Sequence, residues 1–250
     1  MKTYIAFFDI LGFTAFIKNS DIEYIDRNIK ELFLESQSAI SGEKYNLTDV
    51  GFCPDLDKAS VNCLHVSDSV IFWTKDKSED AFKEIVNVCY TFYWRCMQGR
   101  FPVRGCLVLG EIEFNPFNIP IQNNFTFINS SLYGCGLIEA YKKAESQDWA
   151  GCYIDKSAVE SVDELIIIDL IENGKIVYYP VPQKDGTNIY EHTISIIGYN
   201  INNVAFRNLA KGIEILFTLH MKDNPIDDSV RKKMFNTIKF LESFKSLNRY

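Results

Sequence analysis

The sequence predicts an α+β fold in which helices pack against a mostly antiparallel sheet. Short apolar runs, typical of strands, alternate with longer stretches that have helical periodicity. Two of the strand-like runs are separated by only two residues, which is the spacing of a tight hairpin. Hydrophobic residues make up 47% of the 250 residues, so the chain can bury a full core.

The first strand is predicted at Tyr4–Phe8, an apolar run that ends at Asp9. Gly12 breaks the pattern, and helical periodicity then continues to about Ile40. Ser20 or Asp21 is expected to cap that helix, because short polar side chains accept bonds from the first free N–H groups.

The central part of the chain begins with residues 41–58, which are rich in Gly, Asn, Asp and Pro and are expected to form a loop. The hairpin strands follow at Val61–Val66 and Ser69–Thr74. A helix is predicted from about Ser78 to Met97, and a strand at Phe101–Leu109.

The next segment, Glu111–Asn129, contains two prolines and many asparagines and is expected to be an irregular arm. A helix is predicted from about Ser131 to Gln147. Further short strands are predicted at Cys152–Ile154, at Glu164–Asp169 and, after an Asn173-Gly174 hairpin turn, at Lys175–Tyr179.

From about Val204 to Leu247 the pattern is helical, with a break at Asn224-Pro225. The order β-α-β-β-α-β with added helices predicts a ferredoxin-like plan. We expect residues 1–180 to form the main body and residues 181–250 to form a mainly helical extension packed on the same domain.

Composition excludes several classes of function. The formal net charge is −7 and no run of Lys and Arg is long enough to follow a phosphate backbone, so nucleic acid is a poor partner. No apolar run reaches the length of a membrane span, and Asp9 interrupts the first apolar stretch too early for a signal peptide. Seven scattered cysteines without metal-type spacing indicate reduced thiols in the cytoplasm.

Two aspartates are candidates for chemistry because of their positions. Asp9 ends a buried strand, and Asp68 lies at the tip of a hairpin. If the hairpin lies beside the first strand, the two carboxylates converge on one site, and paired carboxylates suit Mg²⁺ or Mn²⁺. The alternative interpretation is that Asp9 is a cap and Asp68 an ordinary turn residue.

Four segments resemble class III nucleotidyl cyclases. FFDILGFT, which begins at Phe7, is similar to the opening motif of that family, and VSDSVIFW, which begins at Val66, is similar to its second metal motif. PVRGCLVLGEI, from Pro102, and SLYGCGLIEAYKKAES, from Ser131, resemble the strand and the helix that follow in that family. The four motifs keep the family order over roughly residues 4 to 155.

The resemblance implies a metal-dependent cyclase that converts a nucleoside triphosphate into a 3′,5′-cyclic monophosphate. It implies that Asp9 and Asp68, with the carbonyl of Ile10, bind two divalent ions, Mn²⁺ or Mg²⁺. One ion would activate the ribose 3′-hydroxyl and the other would hold the β- and γ-phosphates. The N–H groups of Leu11, Gly12 and Phe13 would cradle the triphosphate. It also implies a homodimer whose sites lie at the interface, and the aromatic-rich arm could belong to that interface or cover the core.

The sequence departs from the family pattern at the positions that read a purine. Leu64 stands where adenylate cyclases carry a base-reading Lys, and no acid precedes Gly134. The family's late Asn and Arg align with Ile138 and Lys142. Lys142 could stabilise developing charge, or Lys142 and Lys143 could form a solvated face. Arg104 is a second cationic candidate, although it could simply pair with a nearby acid.

With these departures the chain most resembles the pyrimidine cyclases of bacterial Pycsar antiphage systems, which make cyclic UMP or cyclic CMP for a separate effector protein. The resemblance therefore implies UTP or CTP as the substrate. Base contacts are expected around Tyr45, Asn62, Leu64 and His65, although His65 also suits a half-buried strand position. The main alternative is a catalytically inactive cyclase-like domain that binds nucleotide and signals. A polymerase-like or diguanylate-cyclase-like enzyme is a third option, but the Gly-Gly-acid-acid-Phe hairpin of the latter is missing.

Overall fold

The computed structural model describes residues 2–49, 51–120, 126–221 and 225–245, and it does not describe the side chains of residues 117–130. The helices within these ranges are α1 (Phe13–Asn19), α2 (Ile22–Ile40), α3 (Glu79–Met97), α4 (Cys135–Ser146), α5 (Lys156–Val159), α6 (Glu164–Glu172), α7 (Asn203–Thr218) and α8 (Asp228–Ser243). The strands are β1 (Lys2–Ile10), β2 (Tyr45–Thr48), β3 (Gly51–Pro54), β4 (Val61–Val66), β5 (Ser69–Thr74), β6 (Val103–Glu111), β7 (Glu113–Pro120), β8 (Thr126–Tyr133), β9 (Cys152–Ile154), β10 (Ile176–Pro182) and β11 (Asn188–Ile194).

The main sheet has seven strands in the order β10-β11-β9-β6-β1-β5-β4. The strand β1 lies inside the sheet and pairs antiparallel with both β5 and β6, whereas β6 and β9 are parallel. The run β6-β1-β5-β4 has the strand order of the ferredoxin-like plan. The predicted α+β fold with a mostly antiparallel sheet is therefore confirmed.

The two faces of β1 contact different helices. On one face Phe8 meets Phe92 of α3 at a centroid distance of 5.1 Å, and Phe72 of β5 completes the cluster. On the other face Phe7 meets Tyr141 of α4 at 5.4 Å. Asp9 follows Phe7 by two residues, so the alternation of the strand places its side chain on the α4 face.

Glycine allows α4 to lie very close to the sheet. A Cβ added to Gly136 would stand 2.8 Å from the Cα of Gly110 on β6 and 2.6 Å from Ile5 Cδ1. Gly134, just before the helix, has φ of +151°, and a Cβ there would meet the carbonyl oxygen of Glu111 at 2.2 Å. The glycines of the YGCG segment therefore set the distance between α4 and the sheet.

The predicted starts of two helices are confirmed, and a capping hydrogen bond is present at each. The side chain of Asp21 accepts from the N–H of Tyr24 at the start of α2, and the side chain of Ser78 accepts from that of Ala81 at the start of α3. The predicted break near Pro225 is also present, because α7 ends at Thr218 and α8 begins at Asp228.

Two predictions of local structure are wrong. Residues 41–58, expected to be a loop, contain the hairpin β2–β3 and a short 3₁₀ turn. Residues 164–169, expected to be a strand, belong to α6, which Asp163 caps. The buried residues of this helix are Ile166, Ile167 and Leu170, which is helical spacing although the run LIII looks like a strand.

Two further predictions are wrong about hairpins. The irregular arm is a regular hairpin, since β7 pairs with β8 in register from Glu113 opposite Tyr133. Of its aromatic residues, Phe114 contacts Trp73 at 5.3 Å, Phe125 lies outside the described residues, and the side chains of Phe117 and Phe127 lie outside the described side chains. The Asn173-Gly174 turn ends α6 and leads into β10, whose hairpin partner is the later strand β11.

The extension is joined to the sheet. The predicted boundary at residue 180 falls within β10, and β11 inserts between β9 and β10. On α8, Thr237 Oγ1 accepts from the N–H of Ala150 at 2.8 Å. The amide of Asn236 donates to the Asp148 carbonyl at 2.8 Å. In the described part of the chain, no helix is long and apolar enough to cross a membrane.

Candidate active site

Asp9 and Asp68 are brought to one site by the pairing of β1 with β5. Asp9 lies opposite Ser69, and the N–H of Ile10 donates to the carbonyl of Asp68 at 2.9 Å. The hairpin between β4 and β5 turns tightly because Ser67 adopts a left-handed conformation with φ of +56°. Both carboxylates line the same cleft, as the sequence predicted for a convergent pair.

Arg104 is the cationic partner of Asp9. The two residues lie directly opposite each other on β6 and β1, and Nε and Nη2 of Arg104 donate to Oδ2 of Asp9 at 3.0 and 2.8 Å. Nη1 donates to the carbonyls of Glu145 and Gln147 at 3.1 and 3.4 Å. The guanidinium is therefore fixed by the end of α4 as well as by the acid, and the predicted pairing with a nearby acid is present.

The environment of Asp9 favours its neutral form. Burial raises the pKa of the Asp9 carboxyl; Arg104 lowers it, and the charges of Asp68 and Glu145 raise it again. The net result is a pKa above the ordinary value, even with the guanidinium in contact. A cation placed beside Asp9 would favour the charged carboxylate and so oppose the effect of burial.

The cleft has a volume of about 580 Å³ and opens beside the start of α1. Gly12 has φ of +79°, a conformation that glycine adopts without strain, and this lets the chain turn from β1 into α1. Gly12 and Phe13, whose N–H groups are predicted to bind the triphosphate, both line the cleft. Leu11 lines it too, but its N–H donates to the carbonyl of Pro102 at 2.8 Å. The Leu11 amide is therefore not free to bind phosphate, which corrects the expectation drawn from the motif.

The C-terminal helices also reach this cleft, which sequence reasoning missed. Met221, Asp227 and Val230 form part of its wall. The segment is held there by Asn19, whose amide donates to the carbonyl of His220 at 2.8 Å, and by the imidazole of His220, which packs against Phe16 at 4.8 Å. No motif in the sequence signals this contact, because it joins residues about 200 positions apart.

Lys142 and Lys143 on α4 have different surroundings. Lys142 is exposed, and its position one turn after Ile138 places both residues on the same face of the helix. Lys143 bonds to Asp155 and also pairs with Glu139 at 2.9 Å, so it belongs to an ion-pair network. The solvated-face interpretation therefore fits Lys142 and is wrong for Lys143.

Leu64 lies in an apolar groove of about 380 Å³ between the open part of the sheet and α4. Its walls are formed by Phe7, Leu64, Val66, Ser69, Ile71, Leu132, Leu137, Ile138 and Tyr141. Val66 and Ser69 flank the Ser67–Asp68 turn, so the groove starts next to the metal-site candidate. Of the four residues expected near the base, Leu64 is the one that the structure places in this groove.

The other three expected base contacts lie elsewhere. Tyr45 is on the separate β2–β3 sheet, and it does not line the cleft or the groove. His65 Nε2 contacts Ser36 Oγ of α2 at 2.6 Å, on the opposite face of the sheet. Asn62 donates to the carbonyl of Trp73 within the sheet at 3.2 Å.

The oxygen atoms at the cleft suit a divalent ion that takes the rest of its coordination shell from a bound molecule. Asp9, Asp68 and the backbone of Ile10 line one wall, and carboxylate and carbonyl oxygens are the ligands of Mg²⁺ and Mn²⁺. No group of three or more His, Cys, Asp or Glu side chains is close enough to hold an ion in the described ranges. Phosphate oxygens and water would have to complete the shell, as is usual for Mg²⁺ in phosphoryl-transfer enzymes.

Comparison by sequence with family models and with curated proteins gives no match. Comparison of folds does give matches among solved structures. The chain is similar to the non-canonical dimeric guanylyl cyclase domain of the RhoGC fusion protein from the aquatic fungus Blastocladiella emersonii, with a TM-score of 0.52 and 13% identity over 77% of this chain and 95% of that one.

A second similar structure is the catalytic core of a rhodopsin-guanylyl cyclase with converted specificity, in complex with ATPαS. Its TM-score is 0.50 and its identity 13%, over 77% of this chain and 94% of that one. At this level of identity the likeness shows the fold. The chain has the fold of class III cyclase catalytic domains, as the motifs predicted.

Proposed function

We propose that this protein is a nucleotide cyclase that converts UTP or CTP into the 3′,5′-cyclic monophosphate and pyrophosphate. The observation that carries the proposal is the meeting of Asp9 and Asp68 in one cleft of a cyclase fold, next to a buried guanidinium. Both aspartates occupy the positions at which the sequence motifs place the metal ligands.

Asp9, Asp68 and the carbonyl of Ile10 would hold the divalent ions, Mn²⁺ or Mg²⁺. When bound, such ions lower the pKa of the attacking hydroxyl and neutralise the departing pyrophosphate. Arg104 orients the Asp9 carboxylate by holding Oδ2, which leaves Oδ1 directed to other ligands. The free amide groups near Gly12 and Phe13 would bind phosphate oxygens where α1 begins.

The apolar groove beside Leu64 supports a pyrimidine substrate. A purine-reading site uses a charged Lys and an acid to bind the base edge, whereas Leu64, Ile71, Leu137 and Ile138 supply no such partner. The groove volume of about 380 Å³ would hold a base against Phe7 and Tyr141. We propose UTP as the first candidate and CTP as the second, on the resemblance to the Pycsar enzymes.

The same resemblance supports a homodimer with its active sites at the interface. Lys142 and Ile138 are exposed on α4, and Lys142 would stabilise the developing charge of a nucleotide held by the partner's aspartates. A second-messenger role in antiphage defence, with a separate effector that binds the cyclic nucleotide, follows from the same likeness.

A catalytically inactive nucleotide-binding domain is the second candidate. The observation that favours it is the replacement of the family's late Asn and Arg by Ile138 and Lys142. The retained pair Asp9 and Asp68 favours turnover, because a binding domain does not require two metal-ligating carboxylates at the site of the attacking hydroxyl.

Product analysis tests the proposal. Purified protein is incubated separately with ATP, GTP, CTP and UTP, with Mn²⁺ or Mg²⁺, and the products are identified by mass spectrometry. We expect a cyclic monophosphate from a pyrimidine triphosphate and none from Asp9→Ala protein. Four unchanged triphosphates with tight nucleotide binding would instead establish the inactive binding domain.

A further inference from the structure

Lys18 is a charged side chain in the active-site cleft that the motifs leave unassigned. It lies on α1, four residues after Thr14, and both residues line the cleft that contains Asp9 and Asp68. Residues four apart share one face of a helix, so Lys18 and Thr14 lie on the same face of α1.

Lys18 and Arg104 carry the positive charges of the described cleft residues, and they differ in their partners. Every nitrogen of the Arg104 guanidinium donates to the protein, to Asp9 or to the carbonyls of Glu145 and Gln147. Lys18 is exposed and makes no hydrogen bond, ion pair or ring contact within the described ranges. It is therefore the cleft cation that remains available to a ligand.

One acid of the cleft already has a hydrogen-bond partner within the protein. Asp227 lines the same cleft, but its Oδ1 accepts from the N–H of Val230 at 2.8 Å and caps α8. The end of α1 is also fixed, because Asn19, next to Lys18, donates to the carbonyl of His220 at 2.8 Å. The helix that carries Lys18 is thus held against the C-terminal segment.

We propose that Lys18 binds the terminal phosphates of the nucleoside triphosphate. The inference rests on the proposed function, since it assumes that the cleft holds the triphosphate with its α-phosphate near Asp9. An ammonium group with three donors and no partner among the described residues suits the oxygens of a β- or γ-phosphate. Lys18 is then a substrate-binding residue supplied by α1.

Calorimetric titration with inorganic tripolyphosphate and Mg²⁺ tests this assignment without turnover. Lys18→Met is expected to weaken tripolyphosphate binding by about tenfold, as loss of one charge-assisted bond does, whereas Lys18→Arg keeps most of the affinity. UMP binding should not change. Lys211→Met is the matched control, because Lys211 is exposed on α7 and lies outside the cleft. Equal tripolyphosphate affinity in wild type and Lys18→Met, or no binding by wild type, would overturn the assignment.

The two proposals fail in different ways. If no nucleoside triphosphate is converted but tripolyphosphate binding depends on Lys18, the assignment of Lys18 stands and the cyclase does not. If a cyclic product forms and Lys18→Met leaves both the KM for the triphosphate and tripolyphosphate binding unchanged, the assignment of Lys18 is wrong and the cyclase stands.

Discussion

Arg104 and Asp9 form a two-bond contact across β6 and β1, with both bonds on the same carboxylate oxygen, Oδ2. The side chains of Arg104 and Asp9 are only 10% and 20% exposed. The acid expected to bind a metal is therefore oriented by a neighbouring strand before any ligand arrives. We therefore propose that Arg104 positions Asp9 in the proposed active site.

Removing this guanidinium should destabilise the protein. For Arg104→Met we expect the free energy of unfolding to fall by about 2–4 kcal/mol, because a largely buried carboxylate loses its partner. The double variant Arg104→Met/Asp9→Asn should recover part of this loss, since no unpaired charge remains. Arg231→Met, which removes an exposed pair of 3.9 Å with Asp228, is the control and should change stability by less than about 0.5 kcal/mol. Urea unfolding curves measure all three; wild-type stability of Arg104→Met would contradict the positioning role.

The C-terminal helix should contribute to stability through one hydroxyl. Thr237 is fully buried and accepts from the N–H of Ala150, so Thr237→Val leaves a buried donor unpaired and should cost about 1–3 kcal/mol. Thr218→Val is the matched control, because the Thr218 hydroxyl bonds only carbonyls of its own helix and is exposed. Equal unfolding midpoints for the two variants would show that α8 is not anchored by this bond.

His65 should make stability depend on pH below neutrality. Burial lowers the pKa of its imidazole from 6.5 to about 4. The unfolded chain therefore binds a proton at His65 between these values while the folded chain does not, so stability falls as pH decreases through this window. When the pH falls from about 7 to about 5, the melting temperature of His65→Gln should fall by less than that of wild type. His192 and His220 are present in both proteins and contribute equally to the two shifts. Identical shifts of the melting temperature in both proteins would exclude His65 as a source of the pH dependence.

Several features were predictable because they depend on local sequence. The run before Asp9 and the two-residue turn at Asp68 have strand periodicity and hairpin spacing, and these predicted the convergence of the acids. The cap at Asp21 and the helix start near Ser78 were predictable for the same local reason. The β2–β3 hairpin was missed because its strands have four residues each and polar flanks.

Other features depend on contacts between distant residues and could not be predicted. The apolar run in α6 has the composition of a strand. Its helical spacing is visible only in the structure, where Ile166, Ile167 and Leu170 are the buried residues. Pairing of Arg104 with an acid was expected, but which acid it meets depends on the strand register that places it opposite Asp9. The position of Met221 and Asp227 at the cleft depends on how α7 and α8 dock, which no motif specifies.

The proposed dimer makes a prediction about mixed subunits. If each site uses Asp9 of one subunit and Lys142 of the other, Asp9→Ala and Lys142→Ala proteins are each inactive, and their mixture regains activity. Random pairing with one intact site per mixed dimer gives roughly a quarter of the wild-type rate. The control mixes Asp9→Ala with Asp68→Ala, whose lesions fall in the same half-site, and it should stay inactive. Activity in the control, or none in the first mixture after subunit exchange, would contradict the shared site.

The central claim is that Asp9 and Asp68 support cyclisation of a pyrimidine triphosphate. The most direct test follows pyrophosphate and cyclic nucleotide together during incubation with UTP or CTP and Mn²⁺. The account predicts equal amounts of both products from wild-type protein, and neither from Asp9→Asn or Asp68→Asn protein that binds the triphosphate and melts cooperatively. Pyrophosphate without cyclic nucleotide, or undiminished cyclic product from the two variants, would contradict it.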